Sequence, residues 1–127
     1  MDDRPKLTEQ DLAGFHGSDR LYRHWSGLFC YTEGIRYLCE RGECWWLADA
    51  VASWQLSNSP VFHEPFQVWV LTRTTGHEAV LEANDGDSET NVLVRQVIPH
   101  TDFPLPRIEL FLVVDGDGRT LLLPSEY

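Results

Sequence analysis

Asp49 is the residue whose surroundings most favour acid–base chemistry in this sequence. It lies in the apolar run from Trp45 to Trp54, where a carboxylate needs hydrogen-bond donors. Ser53 follows one helical turn later, and His24 or His63 could complete an acid–base pair. A small hydrolase is therefore one hypothesis, but we favour a structural acid that accepts hydrogen bonds from arginine or backbone groups. We assign no catalytic residue, and the candidates are Asp49, Ser53, His24 and His63.

The cysteines and histidines could in principle supply a tetrahedral zinc site. Cys39 and Cys44 stand on either side of a predicted helical break, with a spacing that lacks the close Cys-x2-Cys pair of a zinc knuckle. We therefore expect Cys30, Cys39 and Cys44 to be reduced thiols, and we expect neither a metal ion nor a cofactor.

Two acidic segments, residues 84–89 and 115–118, invite a calcium hypothesis because they concentrate oxygen ligands. Neither fits the twelve-residue calcium loop, and Asp-Gly is typical of hairpin turns. Phosphate-binding glycine patterns and the common hydrolase motifs are missing from the sequence. We expect both acidic segments to be turns.

The acidic side chains could instead bind a protein partner. The formal net charge is −10, which disfavours nucleic acid and anionic membrane surfaces and favours a partner with a basic surface. Residues 78–89 contain several carboxylates and no lysine or arginine. An aromatic and basic patch near residue 22 could add to this contact surface. The candidate partner-binding residues are Glu78, Glu82, Asp85, Asp87, Glu89, Tyr22 and Arg23.

The length of 127 residues is typical of one domain, and we expect residues 1–127 to form it, with residues 1–6 disordered. The sequence begins without a signal-peptide pattern and has no apolar run of about 20 residues that could span a membrane. With an odd number of cysteines as well, we expect a cytoplasmic protein.

Helical patterns come first along the chain. Thr8 precedes a short helix that we expect to stop at Gly17. Apolar spacing predicts a helix over residues 33–41, a break at Gly42 and a second, strongly apolar helix over residues 43–56. Residues 21–31 indicate one or two short strands.

Strand patterns follow the helices, over residues 66–73, 79–83, 90–98, 107–114 and 119–123. In the fourth of these, Ile108, Leu110 and Leu112 alternate with more polar residues and should face the helices. The predicted fold is α+β, with N-terminal helices packed on one face of a four- to five-stranded antiparallel sheet arranged as a meander.

Three motifs resemble an uncharacterised bacterial domain family found among plasmid- and phage-associated genes. They are YTEGIRYL at residues 31–38, WLADAVASWQ at residues 46–55 and IPHTDFPL at residues 98–105. The resemblance implies, by analogy, an accessory or host-interaction role. The acidic charge adds the hypothesis of an anti-defence protein of a mobile element, whose surface engages a basic groove that normally holds nucleic acid. The chain departs from the family pattern at Cys44 and His100, which argues against a metal site built on those two.

These observations leave three hypotheses of different classes. The leading one is an acidic cytosolic protein-binding module of a mobile element. The second is a small hydrolase, and the third is a structural or oligomerisation domain. A pocket that holds Asp49 and a histidine within hydrogen-bond reach would favour the enzyme, whereas a contiguous carboxylate surface would favour the binding module.

Overall fold

The computed structural model of the chain describes residues 7–16, 20–88 and 90–127. Residues 1–6, Gly17 and Glu89 lie outside the described residues, and so do the expectations that fall on them. The helices are α1 (Glu9–Ala13), α2 (Glu33–Arg41), α3 (Trp45–Ser53) and a C-terminal 3-10 helix (Pro124–Glu126). The strands are β1 (Leu21–Arg23), β2 (Cys30–Thr32), β3 (Phe66–Arg73), β4 (Ala79–Asn84), β5 (Val94–Ile98), β6 (Arg107–Asp115) and β7 (Gly118–Leu122).

Threonine hydroxyls start the first two helices. Thr8 Oγ1 accepts a hydrogen bond from the Asp11 backbone N at 3.1 Å, and the Asp11 carboxylate accepts one from the Thr8 N at 3.1 Å. Thr32 Oγ1 accepts from the Ile35 N at the start of α2. These bonds satisfy donors that have no partner within the first helical turn. A helix is therefore present after Thr8 as predicted, but it ends at Ala13, before the predicted stop at Gly17.

The predicted break at Gly42 separates α2 from α3. Gly42 N donates to Leu38 O at 2.8 Å, and a Cβ added at Gly42 would lie 2.8 Å from that same oxygen. Glu43 follows with a φ of 50°, a left-handed conformation that turns the chain, and Cys44 N then donates to Cys39 O. The break is thus fixed by backbone geometry.

The sheet differs from the predicted one. It has seven strands in the order β1-β2-β7-β6-β3-β4-β5, and β2 pairs with β7 in parallel while the other pairs are antiparallel. The prediction of a four- to five-stranded antiparallel sheet was wrong, although the α+β class holds. The additional strands, β1 and β2, lie where the sequence indicates one or two short strands, but three residues are too few to show that they join the main sheet.

The strand order is also not a simple meander. β3, β4 and β5 follow one another as neighbours, but β6 pairs with β3 instead of β5, which gives the order of a Greek key. Residues 99–106 therefore run back across one end of the sheet. The turn between β3 and β4 lies at that same end, since neighbouring strands are antiparallel. This crossing brings two distant segments together.

One face of the sheet shares a core with α2 and α3. Ile108, Leu110 and Leu112 of β6 are buried in it, which confirms their predicted orientation. The side chains of Leu47 and Val51 in α3 are fully buried, whereas the larger tryptophans of the 45–54 segment lie at the rim or surface. The described part of the chain contains no helix long and apolar enough to cross a membrane.

Candidate metal centre

Two histidines and an aspartate converge at the end of the sheet where the Greek-key connection crosses. His77 lies in the turn between β3 and β4, and His100 and Asp102 lie in the connection between β5 and β6. One ligand atom from each of the three lies within 4.8 Å of the other two. His77 Nδ1 is 3.2 Å from Asp102 Oδ1, and the two imidazole centroids are 4.9 Å apart.

A backbone hydrogen bond fixes the two segments against each other. Thr101 N donates to His77 O at 2.7 Å. Thr101 and Phe103 are buried, and Phe103 N donates to Thr101 Oγ1. Because the intervening Thr101 is anchored inward, the exposed residues on either side of it, His100 and Asp102, are held at the surface beside His77.

The turn that carries His77 is closed by its own hydrogen bonds. Thr74 N donates to Glu78 O at 2.9 Å, and Glu78 N donates to Thr75 O at 3.0 Å. Gly76 takes a φ of 58°, which only glycine adopts at little cost. Arg73 Nη2 reaches Gly76 O at 3.3 Å from the end of β3. The position of His77 therefore follows from the turn.

The separation of two of the three ligand atoms suits coordination of a metal ion. Two ligand atoms bound tetrahedrally at about 2.0–2.1 Å from zinc lie roughly 3.3 Å apart. The 3.2 Å separation between His77 Nδ1 and Asp102 Oδ1 matches that value. The His77 and Asp102 side chains are 62% and 83% exposed, so water or a ligand could occupy the remaining coordination positions.

Two clefts adjoin this cluster. One has a volume of about 370 Å³ and is lined by Arg41, Glu43, Arg73 and Asp102, among others. The other has a volume of about 260 Å³ and is lined by Trp46, Thr101 and Phe103 together with His100, Glu43 and Asp102. Both clefts share Glu43 and Asp102, so a metal ion here would border two recesses in the surface.

His24 and Asp49 do form the pair that the sequence suggested. His24 Nε2 lies 2.8 Å from Asp49 Oδ1, and Trp25 Nε1 donates to the same oxygen at 2.7 Å. Asp49 is 45% exposed and not buried, and its donors are ring N–H groups instead of arginine or backbone groups. The pair joins the β1–β2 hairpin to α3.

Both ring nitrogens of His24 are already occupied. Ser26 N donates to His24 Nδ1 at 3.2 Å, so the other nitrogen carries the proton that Asp49 accepts. The His24 side chain is only 2% exposed. Four surface clefts of the described chain are lined by neither His24 nor Asp49. This arrangement is typical of a structural hydrogen-bond network.

The remaining catalytic candidates lie elsewhere. Ser53 Oγ donates to Ala50 O at 2.6 Å and does not bond to Asp49. His63 is exposed and packs edge-on against the Phe62 ring, with ring centroids 5.0 Å apart. The structure therefore unites two of the four candidates.

Cys39 and Cys44 are buried beside each other at the break between α2 and α3. The pKa of the Cys39 thiol is raised, mainly by the hydrogen bond between the two side chains and next by burial. Cys30 lies in β2 and is partly exposed. Within the described ranges, the geometry that would suit a metal ion is found at His77, His100 and Asp102, without a cysteine.

The predicted partner-binding carboxylates are divided between the two ends of β4. Glu78 lies in the turn before the strand, where its carboxylate accepts from Thr74 Oγ1. Asp85 and Asp87 lie in the turn after it, roughly 20 Å away for a six-residue strand. Glu82 lies between them, in register with Arg95 of β5. The described carboxylates therefore form no single contiguous patch.

Tyr22 and Arg23 lie in β1, at one edge of the sheet. Tyr22 stacks on Tyr31, and its hydroxyl accepts a hydrogen bond from Arg36 Nη1 at 2.9 Å. Arg23 is exposed. Because β1 and β5 are the two outer strands of the sheet, this patch lies far from the acidic turns that flank β4.

The acidic turns show the geometry of turns. In the first, Asn84 Oδ1 accepts from Gly86 N at 2.8 Å and Asp85 Oδ1 accepts from Asp87 N at 3.0 Å. In the second, Asp115 Oδ1 accepts from Asp117 N at 2.8 Å. These are the local side-chain bonds of Asx turns, and they support the turn interpretation over calcium loops.

The sequence analysis missed the three residues as a set. Histidines were considered as metal ligands only together with cysteines, and residues 98–105 were interpreted as a family motif and a strand end. The alternation His100-Thr101-Asp102 was a usable signal, because an anchored extended segment directs its first and third side chains the same way. The contribution of His77 depends on the Greek-key crossing.

The comparisons with known proteins give one result. The model of a family of unknown function, DUF6876, matches residues 6–127. No curated protein and no solved structure matches the chain. Nothing about activity is therefore transferred, and a functional proposal has to come from the geometry described above.

Proposed function

The chain belongs to DUF6876, a family of unknown function, and we propose that this protein binds a divalent transition-metal ion through His77, His100 and Asp102. The observation that carries the proposal is the convergence of the three donor groups from two segments that a backbone hydrogen bond holds together. Side chains placed before binding lose little freedom when the ion arrives.

The donor set indicates which ions the site would take. Two imidazoles and one carboxylate suit zinc, copper, nickel or iron, whereas magnesium and calcium prefer sites made entirely of oxygen. Three protein ligands leave at least one position for water or for an anionic ligand in the adjoining clefts. We propose Zn²⁺ as the first ion to test, since it is redox-inactive and forms tetrahedral sites with these ligands.

Calorimetric titration tests the proposal. We expect one Zn²⁺ per chain, and His100→Ala and Asp102→Ala should each weaken binding by at least about tenfold. His63→Ala is the matched control, because His63 is an exposed histidine outside the cluster. Affinity unchanged in both cluster variants, or weakened equally by the control, would contradict the proposal.

Protons should compete with the ion. Histidine binds metal as neutral imidazole, so the affinity should fall as the pH is lowered. A Cys30→Ser background removes the partly exposed thiol as a competing ligand.

A protein partner with a basic surface stays a second proposal. Its support is the formal charge of −10 and the turn after β4, where Asp87 is exposed. Changing Asp85 and Asp87 to lysine should slow association with a captured partner, and salt should weaken binding of the unmodified protein. Equal rates in both proteins would leave these carboxylates as a solvating surface.

A further inference from the structure

The sheet face opposite α2 and α3 carries an apolar surface across β6, β3, β4 and β5. Side chains paired in register share a face, so Val70, Glu82, Glu109 and Arg95 point to the same side, away from the core cluster. The apolar side chains on this face are Phe66, Val68, Val70, Val80, Val97, Phe111 and Val113, of which Val68 and Val80 are buried, with 8% and 6% of their surface exposed. Val97 is 54% exposed, and Tyr127, 74% exposed, packs its ring against Phe66 and Phe111.

The charges of this open face differ from those of the whole chain. The chain has twenty acidic and ten basic side chains, yet the face between Arg107 and Arg95 carries Glu82 and Glu109 against those two arginines. Arg107 Nη2 lies 3.3 Å from Glu109 Oε2, and Glu82 is the register partner of Arg95. Apart from Asp115, which lies on the same face at the end of β6, these charges cancel, and this central part of the face would not repel a copy of itself.

The register makes the open face complementary to itself. One row across the strands reads Glu109, Val70, Glu82 and Arg95, from β6 through β3 and β4 to β5. A two-fold axis along the strands, midway between β3 and β4, exchanges β6 with β5. That operation sets Glu109 of each copy opposite Arg95 of the other, which gives two intermolecular ion pairs.

We propose that a second copy of this chain packs against the open face as a two-fold symmetric dimer. Four strands at a spacing of about 4.8 Å and a length of roughly 17 Å cover roughly 300 Å² of flat area. This area is smaller than the ~800 Å² of accessible surface that one partner buries in a standard interface. The dimer should therefore dissociate on dilution.

Sedimentation analysis over a range of protein concentrations tests this inference. We expect a monomer–dimer equilibrium that Val70→Lys abolishes, because the lysine would be placed near the centre of the interface. Leu56→Lys is the matched control, since Leu56 is an exposed apolar residue in the loop after α3. Circular dichroism should show that both variants fold.

A charge exchange tests the proposed symmetry. Glu109→Arg and Arg95→Glu should each weaken the dimer by at least about fivefold, and the double variant should restore it. A monomer at all concentrations, a dimer that survives Val70→Lys, or a double variant as weak as the singles would overturn the inference. Because the metal cluster lies at the loop end of the sheet, failure here would leave the zinc titration unaffected, and the converse also holds.

Discussion

Glu43 combines an unfavourable backbone conformation with a position beside the candidate metal centre. Its φ of 50° is favoured by glycine and costs most other residues on the order of 1 kcal/mol. Its side chain lines both clefts that adjoin Asp102. Backbone strain of this kind is often retained where a side chain has a function.

Glu43→Gly should therefore stabilise the fold. We expect the free energy of unfolding to rise by about 0.5–1 kcal/mol, because glycine removes the conformational cost at this position. Urea unfolding measures the change, with Glu64→Gly as a control at a residue whose φ is negative. A loss of stability in Glu43→Gly as large as in the control would show that the side chain matters more than the backbone.

The buried thiol of Cys39 makes stability depend on alkaline pH. The Cys44 hydrogen bond and burial raise the pKa of Cys39 above its ordinary value of 9.0, and burial raises the pKa of Tyr31 above 10.0. Both groups stay protonated in the folded chain at pH values where the unfolded chain releases the proton. Their contribution to stability is thus complete below about pH 9 and is lost as the pH rises further.

Cys39→Ala should reduce this alkaline loss. One such group changes the free energy of unfolding by up to about 1.4 kcal/mol per pH unit above its unfolded pKa. Urea unfolding at several values between about pH 8 and pH 11 gives the slope for the unmodified protein and for Cys39→Ala. Equal slopes in the two proteins would show that Cys39 does not titrate as described.

Individual residues show what the sequence could predict and what it could not. It predicted that Asp49 needs hydrogen-bond donors, but it favoured arginine or backbone groups and gave His24 or His63 only as the alternative. It did not predict that Asp49 is half-exposed. The cluster of His77, His100 and Asp102 depends on a chain crossing that no local pattern encodes.

Among the elements, a buried amide network joins the end of α3 to β3 and β7. Gln55 and Gln67 exchange two side-chain hydrogen bonds of 2.8 and 3.1 Å. Trp69 Nε1 donates to Gln67 Oε1 at 2.9 Å, and Arg119 Nη1 donates to Gln55 Oε1 at 2.9 Å. Burial lowers the pKa of Arg119, whose guanidinium also lies over the Phe62 ring. The network is satisfied, which is the condition under which buried polar groups stabilise a fold.

Gln67→Leu should destabilise the protein by about 2–4 kcal/mol, since it leaves the buried Trp69 Nε1 without an acceptor and removes one of the two hydrogen bonds at Gln55 Nε2, Gln55 Oε1 and Val61 O. Gln96→Leu is the matched control, because Gln96 is half-buried and accepts one hydrogen bond, from Trp54 Nε1. Its loss should cost about 1 kcal/mol, as water can replace it. Chemical unfolding of both variants measures the two losses in the free energy of unfolding. Similar losses in the two variants would refute a special role for the network.

The sequence predicted most elements but not their arrangement. Strand β3 and the break between α2 and α3 appear as predicted, because alternation, caps and glycine act locally. The pairing of β6 with β3 and the parallel pairing of β2 with β7 are long-range choices. The three-residue strands β1 and β2 lie where the sequence indicates short strands, but they are too short for a local pattern to specify their partners.

Over the whole molecule, the negative field and the candidate metal centre act in the same direction. A formal charge of −10 concentrates cations near the surface and should favour binding of a divalent ion at low ionic strength. Glu78 lies at one end of β4, and Asp85 and Asp87 lie at the other. The negative potential is therefore a property of the whole chain more than of one patch. Metal binding and partner binding can therefore be tested separately, by substitutions at different residues.

Nitrogen NMR of the histidine rings during a zinc titration is the sharpest test of the proposed metal site, because it reports each imidazole separately. We expect one equivalent of Zn²⁺ to shift the signals of the ring nitrogens of His77 and His100 and to leave those of His24 and His63 unchanged. His24 is the informative internal control, since both of its nitrogens already have partners in the fold. Ring signals of His77 and His100 that do not move, or that move no more than those of His63, would show that zinc does not bind at this cluster.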